Sequence, residues 1–155
     1  MNEYLPGLEG VPATQSNISD LDGSQGILTY RGYRIEDLAV NSTFEETSLL
    51  LLDGRLPTAD ELAQFDHELR ANRVVKYNVR EIMKYLPATG HPMEMLQTAV
   101  ASLGMFYQGD ELIGGGVSAE EDYVHNMSVK LIARMATIVA MWEHVRNGYE
   151  EKKRT

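Results

Sequence analysis

The sequence contains no cysteine, few basic residues and no apolar run long enough to cross a bilayer. Without cysteine, disulfides, thiol nucleophiles and cysteine-based zinc or iron–sulfur sites are excluded. A spanning helix needs about 20 consecutive apolar residues, and the N-terminus lacks the basic and apolar segments of a secretory signal. Lysine and arginine total 14 against 23 aspartate and glutamate residues, and the net charge of −9 disfavours nucleic acid and acidic membranes as partners. We therefore expect a cytoplasmic protein that binds neither.

The composition is otherwise that of an ordinary globular protein. Hydrophobic residues make up 43% of the 155 positions, which provide for one domain. Glycine, proline, serine and asparagine are frequent in residues 1–17, which predicts an extended arm. Residues 18–148 carry the periodic patterns of folded segments, and residues 149–155 are expected to form a charged tail.

The longest helical pattern covers Ser118–Gly148. Ser118 and Glu121 have the spacing of a capping box, so the helix is predicted to begin at Ser118. Apolar residues then recur every seven positions, at Val124, Leu131, Ile138 and Val145. Further apolar residues widen this stripe, so the helix must be covered on more than one side, either by its own chain or by a partner.

A small β-hairpin is predicted before the helices, because apolar runs within Ile18–Ile35 flank the turn-forming stretch Asp22–Gly26. Shorter helical patterns follow over Ile35–Val40, over Phe44–Asp53, after a Thr58–Glu61 capping box, and over Val79–Leu86 with Asn78 as its cap. Another helix is predicted to start at Pro92, with an apolar face of Met93, Leu96, Val100, Leu103 and Phe106. The sequence thus predicts a mainly α fold of about six helices preceded by a small β-hairpin.

Histidine is the residue type that offers most for catalysis, and its spacing does not favour a metal site. No two of the four histidines stand three or four residues apart, and no H-E-x-x-H motif is present. His91 precedes Pro92 at a helix start, where its ring can cap backbone N–H groups, and it has no visible partner as a general base. We interpret it as structural.

Other candidate motifs also favour structural roles. Gly114–Gly116 lacks the lysine of a phosphate-binding loop and is followed by acidic residues, so we interpret it as a linker. No serine lies in a G-x-S-x-G motif, and the carboxylate pairs fall in turns or first helical turns. The sequence therefore predicts no catalytic, cofactor-binding or metal-binding residue in this chain.

Several segments in a fixed order resemble the start of a bacterial-type citrate synthase. They are Tyr30-Arg31-Gly32-Tyr33 with Ile35 and Leu38-Ala39, Gly54-Arg55-Leu56-Pro57-Thr58, Gly90-His91-Pro92-Met93, and Leu131–Ala140. The resemblance covers nearly the whole chain and thins over residues 108–117 and the last seven residues. It implies that the helices belong to the family's large domain and that the chain corresponds to the family's N-terminal portion.

The resemblance also implies an activity. Citrate synthases are mainly helical dimers, or dimers assembled into hexamers, that condense acetyl-CoA with oxaloacetate to give citrate and CoA. An aspartate removes a methyl proton, one histidine stabilises the enol oxygen and a second polarises the ketone. In the family these groups lie later in a chain more than twice as long, so no residue here inherits a catalytic role. Acetyl-CoA is expected as a substrate of the longer enzyme, and no cofactor is expected in this chain.

Three hypotheses follow from the resemblance and the residue patterns together. The first is the N-terminal part of a citrate synthase that is inactive as an isolated 155-residue chain. The second is a non-catalytic helical dimerisation module, and the third is a 2-methylcitrate synthase whose substrate pocket lies elsewhere. Apolar surface further predicts self-association through Met93, Leu96, Val100, Leu103, Leu131, Ile138 and Trp142.

Overall fold

The computed structural model describes Gly10, residues 14–106 and residues 117–149, and it describes the side chains of residues 117–122 no further than their helical backbone. Most of the predicted arm, the glycine loop and nearly all of the charged tail thus lie outside the described residues. The described part contains three short strands, six α-helices and one 3-10 turn, which confirms the mainly α prediction. The chain divides into two compact units, residues 1–63 and 64–155, with the boundary inside the third helix.

The first unit begins with a three-stranded antiparallel sheet. Its strands are β1 (Ser19–Asp22), β2 (Ile27–Tyr30) and β3 (Tyr33–Arg34), paired in the order β1-β2-β3. The β1–β2 pair is the predicted hairpin, with Asp22 opposite Ile27. The Asp22 carboxylate accepts hydrogen bonds from the Ser24 hydroxyl at 2.7 Å and from the backbone N–H of Ser24 and Gln25, and these bonds lower the pKa of Asp22.

The sequence predicts a hairpin only, and the structure adds the third strand after Gly32. Gly32 forms a two-residue turn with Arg31, and both have positive φ, 48° at Arg31 and 86° at Gly32. Two successive positive φ values give the turn type that matches the twist of a tight hairpin. Tyr33 therefore returns to pair with Tyr30 before the first helix begins.

Arg31 also joins this sheet to the second helix, α2 (Phe44–Asp53). Its backbone N–H donates to the Ile18 carbonyl at 2.8 Å, and its Nη1 donates to Asn17 Oδ1 at 2.8 Å. Its Nη2 donates to the Leu51 carbonyl, in the last turn of α2, at 2.9 Å. The planar fork of a guanidinium can serve such separate acceptors at once, whereas a lysine ammonium is a single point charge. Backbone and side chain of this one residue thus link the segment around Asn17 and Ile18 to the turn and to α2.

The helices of the first unit begin and end where capping residues place them. They are α1 (Ile35–Asn41), α2, and the start of α3 (Ala59–Asn72). Thr43 caps α2 by accepting from the Glu46 N–H at 3.2 Å, and Gly54 ends it with a left-handed φ of 81°. Among the described residues of this unit, the buried leucines are Leu38, Leu49 and Leu50.

The predicted capping box before α3 is present and carries an added ion pair. Glu61 Oε2 accepts from the Thr58 N–H at 2.7 Å, and the Glu61 N–H donates to Thr58 Oγ1 at 3.3 Å. Arg55 donates to both carboxylate oxygens of Glu61, at 2.9 and 2.5 Å. Hydrogen bonds from Arg55 and then from Thr58 lower the pKa of Glu61 to about 2. The start of α3 is therefore fixed by an ionised carboxylate.

The described part of the second unit contains the rest of α3 and three further helices. These are α4 (Tyr77–Lys84), α5 (Pro92–Leu103) and α6 (Val117–Arg146), with a 3-10 turn at Gly104–Phe106. One apolar cluster joins α4, α5 and α6, and its buried members are Val79, Met83, Met95, Ala99, Leu103, Ile138 and Trp142. Since Ile138 and Val79 have no exposed surface, the core of this unit lies where these three helices meet.

Three helix details differ from the sequence prediction. Asn78 does not cap α4, because the helix begins one residue before it, at Tyr77, with Lys76 in the capping position. The buried face of α5 contains Met95, Ala99, Ser102 and Leu103, so it is rotated away from Met93, which is 61% exposed. The long helix α6 begins at Val117, one residue before the predicted start, and the side chains of the proposed Ser118–Glu121 box lie outside the description.

We predict that Glu61 makes the stability of this chain depend on pH. Its pKa is about 2 in the folded chain, below the ordinary 4.5, so its contribution is complete above about pH 4.5 and is lost as the pH falls towards 2. Replacing Glu61 with glutamine should lower the free energy of unfolding at pH 6. The difference in this free energy between the variant and the parent chain should be smaller at pH 3. Urea unfolding at a series of pH values measures this difference, with Glu45→Gln in the first turn of α2 as control. A difference that is constant from pH 6 to pH 3 would contradict the prediction.

Candidate functional site

The start of α5 is fixed by His91, the residue that the sequence singled out. His91 Nδ1 accepts a hydrogen bond from the Met93 N–H at 3.2 Å, and Pro92 occupies the first helical position. The His91 carbonyl accepts from the N–H groups of Glu94 and Met95 at 3.0 and 3.3 Å. The predicted capping role is therefore confirmed, and the N–H groups of this first turn already have partners.

A cavity of about 230 Å³ lies beside this helix start, between α5 and the C-terminal half of α6. Its lining combines apolar side chains with a few polar ones: Leu86, Pro87, Gly90, His91, Glu94, Met95, Thr98 and Trp142. Trp142 is 3% exposed, and its buried Nε1 has no hydrogen-bond partner among the described residues. The sequence predicts Trp142 as part of an apolar self-association surface, but the residue pattern carries no signal for an unpartnered indole N–H.

A second, more apolar groove of about 340 Å³ lies between the end of α5 and the N-terminal half of α6. Its lining residues are Val100, Leu103, Gly104, Tyr123, Val124, Met127, Ser128, Lys130, Leu131 and Arg134. Arg134 is 8% exposed, and its Nε donates to the Val74 carbonyl at 3.1 Å, which ties α6 to the segment after α3. This groove has the character of a packing surface.

The seven residues predicted for self-association fall into two groups in this structure. Leu103, Ile138 and Trp142 are buried in the core of the second unit, so their side chains are covered by their own chain. Met93 is 61% exposed and Leu131 38% exposed, while Leu96 and Val100 are partly buried. Accessible surface for a partner thus remains at Met93, Leu96, Val100 and Leu131. Self-association itself stays a prediction.

No group of three or more histidine, aspartate and glutamate side chains among the described residues could hold a metal ion. Shifted pKa values in this part of the chain belong to side chains at the surface: Lys84 and Tyr77 lower the pKa of Glu81, and Glu81 raises the pKa of Tyr77. Within residues 14–106 and 117–149, no helix is long and apolar enough to cross a membrane. The described residues thus provide helix caps and grooves between packed helices, which is the arrangement of a helical scaffold.

Comparisons with known proteins identify which scaffold this is. A family model described as "Citrate synthase, C-terminal domain" matches residues 7–155. Citrate synthase of Acidithiobacillus ferridurans is 60% identical over 145 residues, which are 94% of this chain and 37% of that protein. The crystal structure of citrate synthase from Pyrobaculum aerophilum superposes with a TM-score of 0.81 at 42% identity, covering 93% of this chain and 37% of that one. The chain belongs to the citrate synthase family.

The same comparisons limit what the chain contains. This chain spans 37% of the length of each of these two relatives. Most of each relative's polypeptide therefore has no counterpart in this chain. A more distant match, 2-methylcitrate synthase 1 of Corynebacterium glutamicum, is 35% identical over 149 residues. The matches leave the predicted correspondence to the N-terminal part of the family's chains as a prediction.

We predict that the His91 cap contributes measurably to stability. Replacement of His91 with alanine removes the acceptor for the Met93 N–H and should cost about 1 kcal/mol, as loss of a capping side chain typically does. Replacement with asparagine, a strong capping residue, should recover most of that loss. Chemical denaturation of the three proteins measures the difference, and equal losses in both variants would show that the ring contributes through another contact.

Proposed function

We propose that this chain forms the helical scaffold of the large domain of a citrate synthase, which condenses acetyl-CoA with oxaloacetate to give citrate and CoA. The observation that carries the proposal is the 60% identity to a citrate synthase over 145 residues, supported by the fold match at a TM-score of 0.81. The base and electrophilic donors that the reaction needs must then come from the part of a longer polypeptide that has no counterpart here. We further propose a cytoplasmic location, because a chain without cysteine suits a reducing compartment.

Citrate is favoured over 2-methylcitrate as the product. The match to the citrate synthase of Acidithiobacillus ferridurans has 60% identity, against 35% for the 2-methylcitrate synthase. The two activities differ in the acyl group of the CoA thioester, so competition between acetyl-CoA and propionyl-CoA in an active longer form distinguishes them.

We predict that the isolated 155-residue chain releases no CoA thiol from acetyl-CoA and oxaloacetate. A chimera in which these residues replace the matching segment of the Acidithiobacillus ferridurans enzyme should release it. A thiol-trapping assay on both proteins tests this. Activity in the isolated chain would show that reacting groups lie within these 155 residues, and a folded but inactive chimera would favour the non-catalytic dimerisation module.

We also propose that the chain associates with copies of itself, as a dimer or as dimers assembled into a hexamer. Apolar side chains at the surface of the second unit support this, with Met93 and Leu131 exposed and Leu96 and Val100 partly so. Val100 and Leu131 line the same groove, and exposed apolar surface commonly marks an interface. Tyr123, Val124 and Met127 extend the apolar surface around Leu131.

Sedimentation velocity at tens of micromolar protein should therefore give about twice the chain mass of 17.4 kDa or a higher multiple. Replacing Leu131 with aspartate should shift the protein to monomer, because a carboxylate in an apolar interface must lose its hydration. Val40, 82% exposed in the first unit, provides the control Val40→Asp. A compact monomer in the parent chain would rule out self-association at these residues.

A further inference from the structure

The C-terminal end of α6 places an asparagine directly before a glycine, at Asn147-Gly148, which is the one Asn-Gly pair in the sequence. Glycine has no side chain that could hinder the approach of its backbone nitrogen to the preceding side chain. Both residues are exposed, and a Cβ atom added at Gly148 would meet no described atom beyond its chain neighbours within 4 Å. Solvent therefore reaches the pair, and the backbone has room to change conformation there.

An exposed Asn-Gly pair can deamidate without an enzyme. After it loses its proton, the Gly148 nitrogen attacks Cγ of the Asn147 side chain. A bond forms between this nitrogen and Cγ, the bond between Cγ and Nδ2 breaks, and ammonia leaves. Water then opens the cyclic imide and leaves aspartate or isoaspartate at position 147. The reaction thus replaces a neutral amide with a carboxylate, and water is its only co-reactant.

The folded end of α6 opposes this attack at the nucleophile. The Gly148 N–H donates to the Val145 carbonyl at 3.1 Å, and the Tyr149 N–H donates to the His144 carbonyl at 3.0 Å. With the positive φ of 66° at Gly148, these two bonds form the Schellman motif that commonly ends a helix. The Gly148 N–H is therefore engaged with Val145, and the helix end must open before this nitrogen can attack.

Glu143 opposes the attack at the side chain that would react. Asn147 Nδ2 donates to the Glu143 carbonyl at 2.8 Å and to Glu143 Oε1 at 2.7 Å. Both acceptors belong to the preceding helical turn, so they direct the amide back along α6 and away from Gly148. Arg146 Nε donates to Glu143 Oε2 at 2.7 Å, and this bond, with that from Asn147, lowers the pKa of Glu143. An ionised and positioned carboxylate thus holds the Asn147 side chain.

We propose that Asn147 is a deamidation site, that its hydrogen bonds to Glu143 slow the reaction, and that deamidation loosens the last turn of α6. A carboxylate at position 147 has no proton to donate to Glu143 and faces a like charge there. It also adds negative charge to a helix C-terminus, which the helix dipole disfavours. The product therefore lacks the contacts that protected the asparagine.

Glu143→Ala and Glu81→Ala provide a matched test, because each removes a carboxylate that pairs with a basic residue three positions later. The folded 155-residue proteins are kept at mildly alkaline pH, and peptide mass spectrometry measures the deamidated fraction at Asn147 over time. Deamidation in Glu143→Ala should be about threefold or more faster than in the parent chain, because one hydrogen bond that opposes opening is lost. Glu81→Ala should match the parent chain. In concentrated urea all three should react at one rate, faster than the folded parent.

Equal rates in the folded parent and in Glu143→Ala would overturn the proposal, and so would a folded parent that reacts as fast as in urea. An equal acceleration at Asn78 in Glu143→Ala would overturn it as well, because unfolding of the whole second unit would then be the cause. The effect of the product is tested with Asn147→Asp, which should melt below the parent and below Asn147→Ala. An Asn147→Asp protein as stable as the parent would contradict the loosening of α6.

Discussion

The apolar contact between α4, α5 and α6 is the constraint on which the second unit depends. Ile138 of α6 and Val79 of α4 are fully buried there, and Met95 and Ala99 of α5 complete the layer. Burial of side chains of this size contributes about 1.5–3 kcal/mol each, more than any exposed ion pair in the described chain can contribute. The position of α5 against α6 in turn creates both the cavity beside His91 and the groove that Val100 and Leu131 line.

The first unit depends more on directed polar contacts. Arg31 adopts a left-handed backbone conformation. Its hydrogen bonds connect Asn17, Ile18 and the last turn of α2. Glu61 performs a similar task at the start of α3 through Thr58 and Arg55. Such contacts determine where helices and strands begin and meet. The buried leucines of the described part contribute hydrophobic stabilisation.

Sequence reasoning succeeded where one local signal determines the structure. The Thr58–Glu61 box, the His91 cap and the Asp22 turn each depend on residues within a few positions of one another. It failed where two local signals competed or where tertiary packing decided. Gly32 indicates a break as well as a tight turn, Asn78 is a good cap that lies just inside α4, and the buried face of α5 is chosen by its neighbours. The unpartnered N–H of Trp142 could not be predicted, because it is a property of the packed helices.

The stability of the second unit arises chiefly from that three-helix layer. Urea unfolding of Ile138→Ala and Val139→Ala tests it directly, because these neighbours on α6 are 0% and 52% exposed. The account predicts a loss of about 2–5 kcal/mol for Ile138→Ala in a single cooperative transition, and less than about 1 kcal/mol for Val139→Ala. Equal, small losses at both positions would contradict it, since the helices would then not form the core described.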